Sequence, residues 1–146
     1  MSKVKIIWVD NDINRSELRA DKEELMERGC EIKTISDTDA FLDILKENQG
    51  NSDCDCIILD LSMPVGNEFK LEDAAYGSRT GLLLMKKIRE NFIFHNVKII
   101  IFTIVESEEI EKECEKDNNA IYLRKAKYLS YEFADEVMKW INLKRN

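Results

Sequence analysis

The strongest constraint on the fold is a short, mostly apolar run that recurs along the chain. Val4–Val9, Cys56–Leu59 and Val97–Phe102 are three such runs, and β-branched residues are frequent in each of them. Runs of this kind, without strict alternation, are typical of strands that are buried on both faces. They predict a parallel sheet that is covered by helices on both sides.

Helical periodicity fills the segments between these runs. Helices are predicted over 14–28, 37–48, 80–91 and 107–116 and from Ser130 onward, with further strands at 31–35 and 120–123. Strand and helix therefore alternate five times. This order predicts an α/β fold, a doubly wound five-stranded parallel sheet with five helices. Ser107 and Ser130 are the predicted N-caps of the last two helices.

Each predicted helix has an apolar face that should point toward the core. The expected core residues are Leu18, Leu25 and Met26, then Phe41, Leu42, Ile44 and Leu45, then Leu84, Met85, Ile88 and Phe92, and finally Phe133, Val137, Trp140 and Ile141. A chain of 146 residues can bury these faces in a single domain, 1–146.

The composition argues against several functional classes. A net charge of −7 argues against direct nucleic-acid binding, which needs a basic surface. No apolar run is long enough to cross a membrane, and the apolar stretch before Asp10 is too short for a signal peptide. We therefore expect a cytoplasmic protein, in which the four cysteines are free thiols.

Polar side chains follow the predicted strands at the points where the strands end. Asp10 to Asp12 follow the first strand, Asp60 follows the third, Thr103 ends the fourth, and Lys125 follows the fifth. In doubly wound folds, ligands bind at the edge formed by the carboxyl ends of the strands. Two carboxylates, a hydroxyl and an ammonium at that edge suit Mg²⁺ and a phosphoryl group, with a carboxylate as nucleophile.

Four segments carry a family resemblance, namely Val9–Asp12, Leu59–Pro64, Ile101–Thr103 and Tyr122–Lys125. In this order they resemble the receiver domains of response regulators, the CheY-like family, over nearly the whole chain. The resemblance implies the sheet order 2-1-3-4-5. It also implies a receiver that accepts a phosphoryl group from a histidine kinase or phosphotransfer protein and then binds a downstream protein target. Because no output domain follows Asn146, we expect a stand-alone receiver, with a fragment of a longer protein as the alternative.

The same resemblance implies a role for each strand-end residue. Asp60 is the expected phosphoryl acceptor. The expected Mg²⁺ ligands are Asp10, Asn11, Asp60 and the backbone carbonyl of Ser62. Thr103 and Lys125 are expected to contact the phosphoryl group, and Thr103 and Tyr122 to form a conformational switch. We expect no enzymatic activity beyond self-phosphorylation and self-dephosphorylation.

Three residues differ from the family pattern. Asn11 stands where the family has a second acid, Ile104 where it has a small residue, and Ala126 where it has a proline. Ile104 is expected either to crowd the phosphoryl site or to block the inward motion of Tyr122, and Ala126 to follow a trans peptide bond. These differences support an alternative, a pseudo-receiver that binds proteins without being phosphorylated.

An enzyme of related architecture is the third class of function. An aspartate-nucleophile phosphatase would need a second acid at the position of Ser62. A flavin-binding protein would need a loop rich in glycine or hydroxyl groups after the first strand, where Asp10 and Asp12 would repel a phosphate.

The longest departure from the family is an insertion at about 65–80. Asn67 is predicted to cap a short helix over 68–76, with Gly77 as its stop. A long loop beside a site is often a lid or a docking element. A surface insertion without a role would cost little entropy, so both interpretations stay open.

Overall fold

The computed structural model describes residues 3–47 and 53–143. The strands are β1 (Val4–Val9), β2 (Cys30–Ile35), β3 (Cys56–Leu59), β4 (Lys98–Thr103) and β5 (Ala120–Arg124). The helices are α1 (Ser16–Glu27), α2 (Thr38–Glu47), α3 (Thr80–Glu90), α4 (Glu108–Glu115) and α5 (Ser130–Asn142). The predicted alternation of five strands and five helices is confirmed. Position 48, where the second helix was predicted to end, lies outside the described residues. Both ends of the predicted domain 1–146 also lie outside them.

The five strands form one parallel sheet in the order β2-β1-β3-β4-β5, which confirms the expected topology. The pairing register sets Val9 at the end of β1 opposite Leu59 at the end of β3. The residues that follow these two strands therefore start side by side at the carboxyl edge of the sheet.

Helices cover both faces of the sheet, and alternate residues of β1 pack into opposite layers. Val9 packs into the layer that contains Phe41 of α2 and Leu84 of α3. Trp8 packs into the layer with α1 and α5, where its ring centroid lies 5.7 Å from that of Phe133. Both faces of the sheet are thus buried, as the continuous apolar runs predicted.

Two predicted core residues are exposed instead. Met26 is 55% exposed, because its neighbour Leu25 already takes the inward position of that turn. Phe92 is 93% exposed, because Asn91 leaves the helical conformation with a ψ of 134° and ends the periodicity. Phe94 fills the core position beyond the helix, with 3% exposure.

One of the two predicted N-caps is correct. The Ser107 hydroxyl accepts a hydrogen bond from a backbone N–H in the first turn of α4. Ser130 is not a cap, because it is the first residue of α5 and its hydroxyl donates to the Asp21 carboxylate on α1 at 2.8 Å. The N–H of Leu129 instead donates to the carboxylate of Glu132 at 2.9 Å.

The cysteines are free thiols, as predicted, and three of the four are buried. Burial raises the pKa of the Cys54 thiol to about 11 and that of the Cys114 thiol to about 12. Thiols of this kind are poor nucleophiles at neutral pH. Within the described ranges, the helices lack the length and apolar character that crossing a bilayer requires.

Candidate functional site

The sheet register positions two of the predicted site residues. Asp10 directly follows β1, and its N–H donates to the carbonyl of Ile35 at 3.0 Å. Asp60 directly follows β3, and its N–H donates to the carbonyl of Val9 at 3.0 Å. Because the ladder hydrogen bonds continue through both residues, their backbones have little freedom. Thr103, the last residue of β4, is fully buried beside them in the strand order.

Lys125 reaches both carboxylates from the end of β5. Its Nζ lies 2.7 Å from Oδ2 of Asp10 and 3.3 Å from Oδ2 of Asp60. The other two carboxylate oxygens accept backbone N–H groups, from Asp12 at 2.8 Å and from Leu61 at 2.7 Å. The side chains of Asp10, Asp60 and Lys125 are 0%, 8% and 15% exposed, so the three charges form a largely buried group.

In this group, the carboxylates of Asp10 and Asp60 share the single ammonium of Lys125. Burial raises the pKa of Asp60, repulsion from Asp10 raises it further, and Lys125 partly offsets both effects. Burial opposes the charge on Lys125, but its contacts with Asp10 and Asp60 outweigh this and raise its pKa. Two carboxylates against one ammonium leave a formal charge of about −1 at the edge, which favours a further cation.

The two predicted switch residues meet at Val105. The Thr103 hydroxyl accepts a hydrogen bond from the Val105 N–H at 3.3 Å. The Tyr122 hydroxyl donates to the Val105 carbonyl, and burial raises the pKa of this phenol. Thr103 and Tyr122 therefore contact the same residue of the loop after β4, while their role as a switch stays a prediction.

The predicted Mg²⁺ ligands lie at the same edge but differ in burial. Asp10 and Asp60 are buried, whereas Asn11 and Ser62 are exposed at the rim. In the described part of the chain, no group of three or more His, Cys, Asp or Glu side chains is placed to hold a metal. Mg²⁺ commonly uses one or two carboxylates and keeps several waters, so this oxygen donor set fits it.

Two of the departures from the family pattern have clear structural outcomes. Ile104 is 73% exposed, so the prediction that it crowds the phosphoryl site is wrong. Ile104 lies in the bend directly after β4, beyond the strand residues 99–103, which are all buried. No cis peptide bond occurs in the described residues, so the Lys125–Ala126 bond is trans as expected.

The insertion, predicted at about 65–80, forms turns up to residue 79, because α3 begins at Thr80, and the helix predicted over 68–76 is wrong. Ala75, Tyr76 and Gly77 have φ values of 48°, 57° and 99°, and such left-handed residues cannot continue a helix. Asn67 does not cap a helix either. Its backbone N–H and its Nδ2 donate to the Asp39 carboxylate on α2, at 2.9 Å and 3.0 Å.

Sequence reasoning missed the residues that support the loop after Asp60. Gly81, the second residue of α3, lies so close to this loop that a Cβ atom would be 2.3 Å from the Asp60 carbonyl oxygen. Its N–H donates to the Leu61 carbonyl at 2.9 Å. The buried hydroxyl of Thr80 donates to the Met63 carbonyl at 2.7 Å. A glycine at the start of a helix was the one signal of this close approach.

Comparison with known proteins gives structural matches but no sequence matches. No protein-family model and no curated protein sequence matches the chain. The chain is similar to the chemotaxis response regulator CheY4 of Vibrio cholerae, with 21% identity, a TM-score of 0.69 and coverage of 96% of this chain and 99% of that chain.

Two further structures match over almost their full length. The non-phosphorylated HemR receiver domain from Leptospira biflexa has 19% identity and a TM-score of 0.72, covering 99% of this chain and 98% of that one. The Mn²⁺-bound response regulator Rcp1 has 17% identity and a TM-score of 0.69, with the same coverage. The chain thus has the fold of response regulator receiver domains, and the resemblance covers nearly its whole length.

Proposed function

We propose that this protein is a receiver of two-component signalling that accepts a phosphoryl group on Asp60. The contact of Lys125 Nζ with both Asp10 and Asp60 carries the proposal, because it unites three strand ends of a receiver fold in one charged group. A buried carboxylate beside an ammonium has the parts needed for nucleophilic attack on phosphorus.

The proposed step is a displacement at phosphorus. A carboxylate oxygen of Asp60 forms the new O–P bond, and the bond to the donor nitrogen or oxygen breaks with its electron pair remaining on the donor. Lys125 would offset the negative charge that arrives with the phosphoryl group, and the Thr103 hydroxyl would donate a hydrogen bond to it. Mg²⁺, held by Asp10, Asn11, Asp60 and the Ser62 carbonyl, would add a second positive charge at this edge.

The proposal includes partners of two kinds. A histidine kinase or phosphotransfer protein would donate the phosphoryl group, and a downstream protein would bind the phosphorylated form. The net charge of −7 fits protein partners better than nucleic acid. We place the protein in the cytoplasm, where such donors act on soluble receivers.

Intact mass spectrometry after incubation with Mg²⁺ and acetyl phosphate tests the proposal. We expect one added phosphoryl group on the native chain and on Asp43→Asn, a control in which an exposed acid of α2 is replaced. Asp60→Asn should carry none. A native chain that gains no mass at any Mg²⁺ concentration would contradict the acceptor role.

The second candidate is a pseudo-receiver, and Asn11 is the observation in its favour. This exposed amide contributes no charge where the resemblance implies a second acid, so cation binding at the edge depends on Asp10 and Asp60. A titration with Mg²⁺ followed by NMR separates the two candidates. Absent amide shifts at residues 10–12 and 60–63, together with absent labelling, would favour the pseudo-receiver.

A long lifetime of the phosphoryl group follows from the residues beside the site. Ser62 and Val105 carry no acid or amide that could orient a water molecule for attack. We expect Ser62→Gln to shorten the half-life of the label, because its amide can orient an attacking water. Decay of the labelled mass with time measures this, and an unchanged half-life would mean that another group orients the water.

A further inference from the structure

The insertion contributes an atom to the support of the proposed metal site. Peptide groups are planar, so the N–H of Met63 and the carbonyl of Ser62 belong to one rigid unit and point in opposite directions when the bond is trans. The Met63 N–H donates to the carbonyl of Gly77, inside the insertion, at 3.0 Å. That hydrogen bond therefore fixes the Ser62 carbonyl to point away from the insertion.

The Thr80 hydroxyl lies within hydrogen-bond distance of two carbonyls, that of Met63 and that of Gly77. Its Oγ1 lies 2.7 Å from the Met63 carbonyl and 3.1 Å from the Gly77 carbonyl. The side chain is fully buried, so water does not compete for the hydroxyl. Met63 is thus held at its N–H by Gly77 and at its carbonyl by Thr80.

The peptide before Ser62 is held as well. The Leu61 carbonyl accepts the N–H of Gly81 at 2.9 Å, and the Leu61 N–H donates to the Asp60 carboxylate at 2.7 Å. Ser62 itself is exposed, and no donor among the described residues bonds to its carbonyl. The position of this oxygen is therefore set by its neighbours rather than by its own side chain.

We propose that Thr80 and the Gly77 carbonyl are positioning groups that aim the Ser62 carbonyl at the metal. This inference rests on the proposed function, and it gives the base of the insertion a role in cation affinity. Groups that orient a metal ligand typically change metal affinity by about tenfold or more when they are removed.

The test compares Thr80→Val with a matched control. Valine has the shape of threonine but lacks the hydroxyl. Thr38→Val removes an equivalent bond, because the buried Thr38 hydroxyl donates to the Pro64 carbonyl, also at 2.7 Å. Among the described residues Thr38 makes no hydrogen bond to Met63 or Gly77, the two residues that Thr80 contacts. Thr80→Ser keeps the hydroxyl, and Thr80→Ala replaces the valine variant if that variant does not fold.

The Mg²⁺ dissociation constant is measured by NMR titration at a temperature where circular dichroism shows every variant folded. We expect Thr80→Val to weaken Mg²⁺ binding by about tenfold, and Thr80→Ser and Thr38→Val to bind as the native chain does. Exchange of the Met63 amide hydrogen should also be faster in Thr80→Val alone.

Three other results would each contradict one part of the argument. Native affinity in Thr80→Val would overturn the positioning role while leaving the proposed function intact. Equal weakening of Mg²⁺ binding in Thr38→Val would show that Thr80 acts only as a structural residue. A native chain that binds no Mg²⁺ would overturn the proposed metal site and, with it, this inference.

Discussion

The strand-end site and the insertion at residues 65–79 lie side by side but are held in place by different interactions. Asp10 and Asp60 continue the ladder of β1 and β3, and their side chains are 0% and 8% exposed. The insertion consists of turns, and Leu71 and Tyr76 on it are 54% and 76% exposed. The site is therefore fixed by long-range strand pairing, whereas the insertion depends on individual polar contacts and on a few apolar side chains, Val65, Phe69 and Ala74, that pack inward.

Those polar contacts connect the insertion to three helices. Glu68 pairs with Lys46 of α2 at 2.5 Å and with Lys87 of α3 at 3.6 Å. Arg79 pairs with Glu113 of α4. Exposed ion pairs contribute little each, whereas strand register is hard to change without loss of the fold. The comparison predicts that substitutions at the site and at the base of the insertion have large effects, and that those farther out have small ones.

The largest effect should come from Lys125→Met. This change leaves two buried carboxylates without their shared cation, and we expect the free energy of unfolding at pH 7 to fall by about 3 kcal/mol. Urea denaturation measures it. The loss should shrink at lower pH, where Asp60, whose pKa is raised, becomes protonated. Lys127→Met, at an exposed position, should change stability by less than about 0.5 kcal/mol. Equal losses in both variants would show that the buried ion group does not stabilise the fold.

Gly81→Ala tests the point where the insertion rejoins the site. The new Cβ would lie 2.3 Å from the Asp60 carbonyl oxygen and 2.8 Å from the Leu61 Cα. We expect a loss of about 2 kcal/mol, since the backbone of the acceptor loop must shift. Gly29→Ala is the control, because Gly29 has a φ of 91° but open space around it, which costs about 1 kcal/mol of backbone strain alone. A smaller loss of stability for Gly81→Ala than for Gly29→Ala would mean that the loop after Asp60 can move to accommodate a Cβ atom at little cost.

The contrast between strand pairing at the site and individual contacts in the insertion also explains which features could be predicted from the sequence. The parallel sheet, the five helices and the meeting of Asp10, Asp60 and Lys125 follow from buried strands whose ends share one edge, whereas the sheet order was implied by the family resemblance. Each of these features depends on a pattern repeated over many residues. The three charged side chains could be placed because parallel strands end at the same edge of the sheet.

Features set by single contacts were not predictable. The helix expected over 68–76 fails because Ala75 and Tyr76 adopt left-handed conformations that no local pattern indicates. Asn67 bonds to Asp39, which is distant in sequence, rather than to a helix of its own. Ile104 is exposed because the chain bends away directly after β4, and the apolar run of β4 does not indicate at which residue burial ends.

A smaller effect, of opposite sign, is expected for Asp60→Asn. The pKa of Asp60 is raised in the folded chain, so the folded state binds this proton more tightly than the unfolded state. Its charge therefore destabilises the fold fully above the folded pKa, and this penalty disappears as the pH falls toward the unfolded value. We expect Asp60→Asn to be more stable at pH 7 by about 1 kcal/mol.

Urea denaturation as a function of pH checks this expectation. The stability advantage of Asp60→Asn should decrease steadily below neutral pH, as the native carboxyl becomes protonated. Asp43→Asn, at an exposed position of α2, should show no such trend. An advantage that persists unchanged at pH 4 would mean that packing, rather than charge, distinguishes the two side chains.

The smallest effect is expected for Arg79→Gln, which removes the ion pair with Glu113. These side chains are 32% and 43% exposed, so the pair should contribute less than about 0.5 kcal/mol, and high salt should abolish even that. A double-mutant cycle with Glu113→Gln measures the coupling by urea denaturation. A coupling well above 1 kcal/mol would break the comparison, because the insertion would then stabilise α4 as firmly as strand pairing stabilises the site. A negligible coupling would locate the influence of the insertion at its base, where Thr80 and Gly77 hold Met63.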